Sequence, residues 1–284
     1  MTLQISFAEI GEQVERALAE DLGGAANLSN DLTAQLIDID KQATATIVTR
    51  DNAVICGQAW VDASLKRIDP HVSIEWQVAE GELVQANTLL ATISGNARAL
   101  LCAERTALNF LQTLSGTATV AQQYANQLKG CATKILDTRK TIPGLRAAQK
   151  YAVATGGGQN HRFGLFDAYL IKENHIMACG GIAEAIAKAK ELTPGKVIEV
   201  EVESLDELQQ ALDANADIIM LDNFSTEDMT LAVQRVAGKA KLEASGNVEL
   251  EQLTTIAQTG VDYISSGALT KNIKAIDLSM RITL

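Results

Sequence analysis

The sequence predicts an α/β protein with a parallel barrel in its second half. The composition is 47% hydrophobic but only 4% aromatic, which is typical of a helix-rich α/β fold. After Gly130, short apolar segments alternate with helical patterns, at the spacing of about 20 to 30 residues expected for parallel βα units. Each apolar segment ends in polar residues. A closed barrel collects such ends on one rim, whereas an open sheet gathers polar groups at its switch point.

The first half of the chain has a different texture. Residues 1–22 predict an amphipathic acidic helix, and residues 43–95 predict short strands separated by glycines, with one helix among them. Residues 98–129 predict a long helical segment, which we expect to divide into two helices near Gly116. This strand-rich first half is distinct from the regular alternation that follows.

Six strands are traceable after Gly130, and one further barrel strand is left unplaced. They begin near residues 134, 168, 196, 217, 241 and 262. Helix start signals follow two of them, because Ser204 and Ser225 each have an acidic residue three positions later. No sequence repeat accompanies the alternation, which argues against a solenoid.

The strand VIEVEVE (197–203) alternates between apolar and acidic residues. Side chains alternate between the two faces of a strand, so Glu199, Glu201 and Glu203 share the face opposite Ile198. The apolar face is expected to meet the helices and the acidic face to line the barrel. Buried carboxylates are costly unless they pair with cations or bind something. Pairing with Lys or Arg is the simpler interpretation, and we favour it for Glu203.

Bulk composition excludes several functional classes. The 35 acidic and 24 basic residues give a net charge of −11, which argues against nucleic-acid binding because that needs a broad basic surface. No apolar run approaches the ~20 residues needed to cross a bilayer, and the N-terminus lacks a signal-peptide pattern. The four cysteines have no metal-ligand spacing. We expect a soluble, reduced, cytoplasmic protein with no membrane partner.

Cations concentrate in one segment of this acidic chain. Seven basic residues and two acidic ones, Asp137 and Asp167, lie between positions 134 and 172, so the segment carries 7 − 2 = +5. The basic residues are Lys134, Arg139, Lys140, Arg146, Lys150, Arg162 and Lys172. Arg suits carboxylate or phosphate with a planar fork, and Lys supplies a point charge. The segment predicts a pocket for an anion.

Later strand ends predict a second group of ligand-binding residues. Glu201 and Asp222 can bind ribose hydroxyls directly or through a divalent cation, which prefers oxygen ligands. The turns ASGN (244–247) and SSGA (265–268) are small and polar, as in barrel phosphate sites at helix N-termini. One half of the rim therefore suits an acid, and the other suits a sugar phosphate.

Simpler interpretations stand beside these. His161 can be an ordinary loop histidine, the glycines of GGGQN a flexible connector, and Ser245 and Ser266 plain helix caps. Arg105 can be a helix-surface residue in an ion pair. Two other functional classes also remain open: a barrel aldolase that forms a Schiff base on Lys172 or Lys140, and a non-catalytic protein that binds small anions.

The chain resembles the quinolinate phosphoribosyltransferase family across nearly its whole length. The motifs occur in order: AERTALNFLQTLSG (103–116), LDTRKTIPGLR (136–146), GGGQNHRFGLFDAYLIKENH (156–175), IEVEVE (198–203), LDNF (221–224), EASGN (243–247) and GVDYISSGALT (260–270). The family often has His-Ser where this chain has Lys271 and Asn272, a departure from which we expect little consequence.

The resemblance implies a type II phosphoribosyltransferase fold. An N-terminal α/β sandwich domain, residues 1–115 joined by about 272–284, would accompany an incomplete α/β barrel at 116–271. It also implies a homodimer with shared active sites, in which the N-terminal domain of one subunit caps the barrel of the other and Arg105 reaches the neighbouring site.

The resemblance further implies the reaction and the roles of its residues. Quinolinate and phosphoribosyl pyrophosphate would react with Mg²⁺ to give nicotinate mononucleotide, pyrophosphate and CO₂, a step of NAD synthesis. A relative with another acid acceptor is the closest alternative. The family pattern implies substrate binding by Arg105, Thr138, Arg139, Lys140, His161, Arg162, Lys172, Glu201, Asp222, Ser245, Gly246, Asn247, Ser266 and Gly267. Among these, Lys140, Glu201 and Asp222 would be catalytic, with Glu201 and Asp222 as direct or indirect Mg²⁺ ligands.

Overall fold

A computed structural model describes residues 5–246 and 248–283. Its helices, in chain order, are α1 Phe7–Asp21, α2 Gln58–Ile68, α3 Ala97–Gln127, α4 Arg146–Thr155, α5 Glu173–Cys179, α6 Ile182–Leu192, α7 Leu205–Asp213, α8 Thr226–Val236, α9 Leu253–Gln258 and α10 Ala268–Lys271. Its strands are β1 Gln42–Thr49, β2 Ala53–Val54, β3 Ser73–Trp76, β4 Leu83–Val84, β5 Leu89–Asn96, β6 Lys134–Leu136, β7 Tyr169–Ile171, β8 Ile198–Val202, β9 Ile218–Asp222, β10 Lys241–Ser245, β11 Tyr263–Ser265 and β12 Leu278–Thr283.

The chain divides into two compact units. The N-terminal unit holds the described residues up to Gln122, together with Ile142–Gly157 and those from Asn272 onward. The barrel unit holds Gln123–Thr141 and the described residues of Gly158–Lys271.

The N-terminal unit contains an antiparallel sheet in the order β12-β1-β5-β3. The C-terminal strand β12 therefore pairs with β1, with Thr46 opposite Arg281. The predicted strands of residues 43–95 and the helix between them are confirmed. The sheet buries Ile47 and Ile93 against Leu100 and Leu111 of α3, and each such side chain contributes about 2 kcal/mol of hydrophobic stabilisation.

The long helical segment does not divide at Gly116, so that prediction is wrong. Helix α3 continues from Ala97 to Gln127, and Gly116 serves a close contact instead of a break. A Cβ at this position would lie 2.3 Å from the carbonyl oxygen of Lys274. The glycine lets the returning C-terminal chain lie directly on the helix.

The barrel unit is built on a parallel sheet in the order β6-β11-β10-β9-β8-β7. Strands β6 and β7 are consecutive in the sheet's chain order but lie at its opposite edges, so the barrel is incomplete. Within the described residues this sheet has the six predicted strands. Residue Gln159 makes an isolated parallel bridge to Leu136, which places the segment after Gly158 along the free edge of β6.

The alternation predicted for VIEVEVE is confirmed in β8. Ile198, Val200 and Val202 are buried on one face, and Glu199 is buried on the other with 3% exposure. Glu203 instead lies beyond the strand, where its side chain is exposed and its backbone N–H donates to Glu207. The prediction that Glu203 pairs with a cation inside the barrel is therefore wrong, because the strand ends before it.

Two helices begin at the serines that the sequence predicts as caps. The hydroxyl of Ser204 accepts from the Glu207 N–H, and that of Ser225 from the Asp228 N–H, so both predicted caps are confirmed. The four cysteines are free thiols. Among the described helices, none combines the length and the apolar character that a membrane span requires.

Candidate active site

Arg139 and Arg162 form a pair of cations in the barrel unit. Arg139 follows β6, and Arg162 lies in the segment along the free edge of that strand. Burial and the charge of Arg139 lower the pKa of the Arg162 guanidinium. Arg162 donates through Nη1 to the Ala168 carbonyl at 3.2 Å, whereas Nε of Arg139 is buried without a hydrogen-bond partner. Two like charges with an unpartnered buried donor are an arrangement that can accept an anion.

A completely buried carboxylate holds the segment that carries Arg162. Oδ1 of Asp137 accepts from the His161 backbone N–H at 2.9 Å, and Oδ2 accepts from Nδ2 of Asn160 at 2.6 Å. Satisfied buried acceptors of this kind fix the backbone that they contact. The sequence alone gives Asp137 no role except to oppose nearby cations, and its position directly after a strand end is the signal that marks it.

The loop after Arg162 is fixed by a second carboxylate. Asp167 accepts from the backbone N–H groups of Phe163 at 2.5 Å and Gly164 at 2.9 Å. Burial alone would raise the pKa of Asp167, but these hydrogen bonds and the charge of Arg162 hold it below its ordinary value. The carboxylate therefore remains charged and keeps the loop closed on itself.

Both ring nitrogens of His161 face protein groups. Nδ1 accepts from the Arg162 backbone N–H at 2.8 Å, so the hydrogen-bond network assigns the ring proton to Nε2. Nε2 then lies 2.8 Å from Oε2 of Glu199 and 3.5 Å from Oε2 of Glu243. In this arrangement His161 joins Arg162 to the barrel interior and does not present a free nitrogen to a ligand.

Glu199 and Glu243 are buried acids from β8 and β10. Oε1 of Glu199 and both carboxyl oxygens of Glu243 lack a partner of full hydrogen-bond geometry. Burial, and then the neighbouring charge of Glu199, raise the pKa of Glu243 to about 8. Sequence reasoning placed Glu199 inside the barrel but missed Glu243, although that residue stands between the apolar Leu242 and Ala244 on a predicted strand.

Lys172 and Glu201 form a close ion pair at the ends of β7 and β8. The ammonium group is about half exposed, and the carboxylate is mostly covered. Asp222 ends the next strand and accepts from Nδ2 of Asn223 at 2.9 Å. Three of the predicted residues therefore stand at adjacent strand ends, as the barrel prediction requires.

Lys140 and Thr138 lie against the turn that follows β11. The Lys140 N–H donates to Oγ1 of Thr138 at 3.1 Å, and its carbonyl accepts from Oγ1 of Thr270 at 2.8 Å. A Cβ on Gly267 would lie 2.8 Å from Cδ of Lys140, so glycine permits this close approach. Ser266 is buried, and its hydroxyl lies 3.3 Å from both the Val248 carbonyl and the Ala268 N–H that it caps.

The turn after β10 contains a glycine that no other residue can replace without strain. Gly246 has φ +105°, and a Cβ there would lie 2.2 Å from Oδ1 of Asn223. Gly246 and Ser245 line a cavity of about 490 Å³ that also reaches Thr226 and Thr255. The predicted phosphate ligand Asn247 lies outside the described residues.

Arg105 belongs to the N-terminal unit. Its side chain is exposed on α3 and lines a cavity of about 370 Å³ shared with Arg16 of α1 and with Gly144. Lys172, Glu201 and Asp222 thus stand at adjacent strand ends of the barrel unit, and Lys140 lies against Gly267, whereas Arg105 stands in the N-terminal unit.

Comparisons with known proteins agree over nearly the whole chain. Residues 31–115 match the protein family described as "Quinolinate phosphoribosyl transferase, N-terminal domain". Residues 117–281 match the family described as "Quinolinate phosphoribosyl transferase, C-terminal domain". A probable carboxylating nicotinate-nucleotide pyrophosphorylase of Synechocystis is 41% identical over 99% of this chain and 95% of its own. One from Bacillus subtilis is 41% identical, covering 93% and 90%.

Solved structures give the same result for the fold. The nicotinate-nucleotide pyrophosphorylase of Francisella tularensis superimposes with a TM-score of 0.93 at 50% identity, over 99% of this chain and 98% of its own. The structure from Ehrlichia chaffeensis gives a TM-score of 0.91 at 37% identity, over 99% of this chain and 100% of its own.

Proposed function

The chain belongs to the quinolinate phosphoribosyltransferase family, whose activity is the carboxylating nicotinate-nucleotide pyrophosphorylase reaction of NAD synthesis, and we propose that the strand ends of its barrel unit perform that reaction. The substrates are quinolinate and phosphoribosyl pyrophosphate. The products are nicotinate mononucleotide, pyrophosphate and CO₂.

The observation that carries the assignment is the buried, unpartnered Nε of Arg139 beside Arg162. Quinolinate has two adjacent carboxylates on a pyridine ring. A carboxylate can accept from the free guanidinium donor and offset the repulsion between the two arginines, which makes a charge-assisted hydrogen bond in a partly dry site. A monoacid would neutralise only one of the two charges.

The remaining roles are assigned by position. We assign the diacid to Arg139, Arg162 and Lys172, with Arg105 supplied by another subunit, and His161 holds the Arg162 backbone. Lys172, whose side chain is about half exposed, would turn from Glu201 to a substrate carboxylate, while the mostly covered Glu201 carboxylate would bind the second substrate. The phosphoribosyl pyrophosphate is assigned to Thr138, Lys140, Glu201, Asp222, Ser245, Gly246, Asn247, Ser266 and Gly267.

These groups suit the charge changes of the reaction. The pyridine nitrogen attacks the anomeric carbon, the bond from that carbon to pyrophosphate breaks, and positive charge grows on the ribose. Glu201 and Asp222 can stabilise that charge, while Lys140 stabilises the departing pyrophosphate. The bond to the adjacent carboxylate then breaks, its electron pair is held by the new pyridinium, and a proton replaces CO₂. Positioning of charged reactants supplies most of the catalysis.

The carboxylates of Glu201 and Asp222 fit a magnesium ion. They are oxygen donors at the ends of neighbouring strands, and Mg²⁺ is usually held by one or two carboxylates together with water and substrate phosphates. When bound, the ion would neutralise charge on the pyrophosphate.

We propose that the active protein is a homodimer with shared sites that acts in the cytoplasm. The exposed Arg105 of the N-terminal unit supports the shared site, because its side chain is open to another subunit. Arg105→Ala and Arg162→Ala subunits, each inactive alone, should recover part of the activity when they are mixed and exchanged. Mixtures that stay inactive after verified subunit exchange would contradict the shared site.

The direct test is to mix the protein with quinolinate, phosphoribosyl pyrophosphate and Mg²⁺ and to measure released CO₂. Release that depends on all three supports the proposal. Activity with nicotinate but not quinolinate would instead select a relative with another acceptor. Borohydride should trap no adduct on Lys172, because that exposed, ion-paired amine is not the desolvated amine that Schiff-base chemistry needs.

A further inference from the structure

Glu243 is a buried acid to which the proposed reaction gives no role. It is completely buried on β10, and neither of its carboxyl oxygens meets full hydrogen-bond geometry. Such a group in a protein interior calls for a specific explanation. Its Oε2 lies 3.5 Å from Nε2 of His161.

The surroundings of Glu243 contain another acid and one imidazole. Glu199 of β8 and His161 are the titratable groups that face it, and β11 contributes the hydroxyl of Ser265. Its register neighbours are Met220 on β9 and Tyr263 on β11. No buried cation among these groups can balance two ionised carboxylates.

The hydrogen-bond pattern separates the two acids. Glu199 accepts the Nε2 hydrogen of His161 at 2.8 Å, which suits a charged carboxylate. Neither oxygen of Glu243 has a donor in full hydrogen-bond geometry, although the Ser265 hydroxyl lies near the carboxyl group, and two adjacent buried carboxylates do not both ionise. Glu243 is therefore the member of the pair that holds a proton.

A metal ion is the other ligand that three such side chains can hold, since each offers one atom and these atoms lie within 4.8 Å of one another. The tautomer argues against it. Nδ1 of His161 already accepts from the Arg162 N–H, so Nε2 carries the hydrogen and has no lone pair for a metal.

We propose that Glu243 is a positioning residue for the diacid site. It stays a neutral acid and donates its hydrogen to Glu199. This hydrogen bond keeps Glu199 and His161 in the orientation that presents the Arg162 guanidinium to the substrate. A hydrogen on Glu243 supplies the donor that Glu199 lacks on its second oxygen. The hydrogen bonds then lead from the barrel interior through the imidazole to the backbone of Arg162. The expected effect of Glu243 on quinolinate binding rests on the proposed function.

Two substitutions separate a neutral donor from a carboxylate. Glu243→Gln keeps a donor but cannot ionise, whereas Glu243→Met has similar bulk and no donor. Glu191→Gln, an exposed acid on α6, is the matched control. At pH 7 we expect the KM for quinolinate to stay within roughly threefold in Glu243→Gln and to rise about tenfold in Glu243→Met, as for one lost buried hydrogen bond.

The pH profile gives a readout that a purely structural role does not move. Ionisation of Glu243 near pH 8 should lower kcat/KM for quinolinate in the wild-type protein, whereas Glu243→Gln should keep its activity above that pH. A quinolinate KM that rises as much in Glu243→Gln as in Glu243→Met would overturn the proposal.

Infrared difference spectroscopy tests the proton without turnover, and so stands apart from the proposed reaction. The wild-type minus Glu243→Gln spectrum at pH 7 should show the C=O band of one protonated carboxyl, which the Glu191→Gln difference lacks. No such band, or stoichiometric Mn²⁺ binding that Glu243→Gln abolishes, would contradict the inference. If the band is present but no CO₂ is released, the inference that Glu243 is protonated stands and the proposed reaction is refuted.

Discussion

Two neighbouring regions of the barrel unit differ in how their buried polar groups are satisfied. Along the free edge of β6, Asp137 and Asp167 accept hydrogen bonds from backbone and amide groups at 2.5 to 2.9 Å. Around the barrel interior, Arg139 Nε, Glu199 Oε1 and both oxygens of Glu243 have no partner in hydrogen-bond geometry.

This difference separates residues that fix the structure of the loop from residues that are available to a ligand or a proton. We call Asp137, Asp167 and the loop backbone that they bind the frame. Satisfied carboxylates fix the loop and contribute to stability. Unsatisfied buried groups cost stability unless a ligand or a proton completes them. We therefore expect substitutions in the first region to act mainly on unfolding, and substitutions in the second to act on binding or on pH dependence.

Asp137→Ala should produce the largest effect and break the frame. It leaves the His161 N–H and the Asn160 amide without their acceptor, at a cost of about 3 kcal/mol in the free energy of unfolding. Urea unfolding measures this loss. Asp137→Asn should lose less, and the exposed Asp40→Ala is the control. Equal stability of Asp137→Ala and Asp40→Ala would show that the frame is not what holds the loop.

The pH dependence of the unfolding free energy tests whether Glu243 holds a proton in the folded protein. Its raised pKa means that the folded state binds a proton that the unfolded state releases, so this stability is complete below the ordinary pKa of Glu and is lost as pH rises to about 8. The unfolding free energy of the wild-type protein minus that of Glu243→Gln should fall by roughly 1 kcal/mol per pH unit in this range. A flat difference between pH 5 and 8 would place the proton elsewhere.

Gly246→Ala, in the turn assigned to phosphoribosyl pyrophosphate, should lower stability less than Asp137→Ala does. The residue would adopt a left-handed φ and press its Cβ against Asn223, which costs about 1 to 2 kcal/mol. The KM for phosphoribosyl pyrophosphate should rise while quinolinate binding stays unchanged. Gly238→Ala, which also has positive φ but open space around its Cβ, is the control for backbone strain alone. Matching KM values in the two variants would argue against a role of this turn in substrate binding.

Much of this arrangement is readable from the sequence. Polar residues at six strand ends and the alternation of VIEVEVE predicted the barrel rim and the inward Glu199, because strand periodicity is a local property. The continuity of α3 through Gly116 was not predictable, since the reason for that glycine is a contact with Lys274, far away in the chain.

The hydrogen-bond status of the site residues was also beyond the sequence. The sequence predicts His161 as a substrate-binding residue, but it does not show that the two ring nitrogens contact Arg162 and Glu199, because those contacts depend on tertiary neighbours. Glu243 stands in a short apolar strand where a single acid gives no periodic signal. Burial and pairing decide its charge, and neither is a property of local sequence.

The central claim, that paired guanidiniums with a free donor bind the diacid, is tested most directly by calorimetric titration of quinolinate into wild-type and Arg139→Ala protein. We predict that Arg139→Ala weakens quinolinate binding by about 100-fold, as for loss of a charge-assisted hydrogen bond, with no loss of unfolding free energy, because Nε has no protein partner to lose. Arg139→Lys should recover only part of the affinity, since an ammonium lacks the planar fork. Equal quinolinate affinity of wild-type and Arg139→Ala would contradict the account.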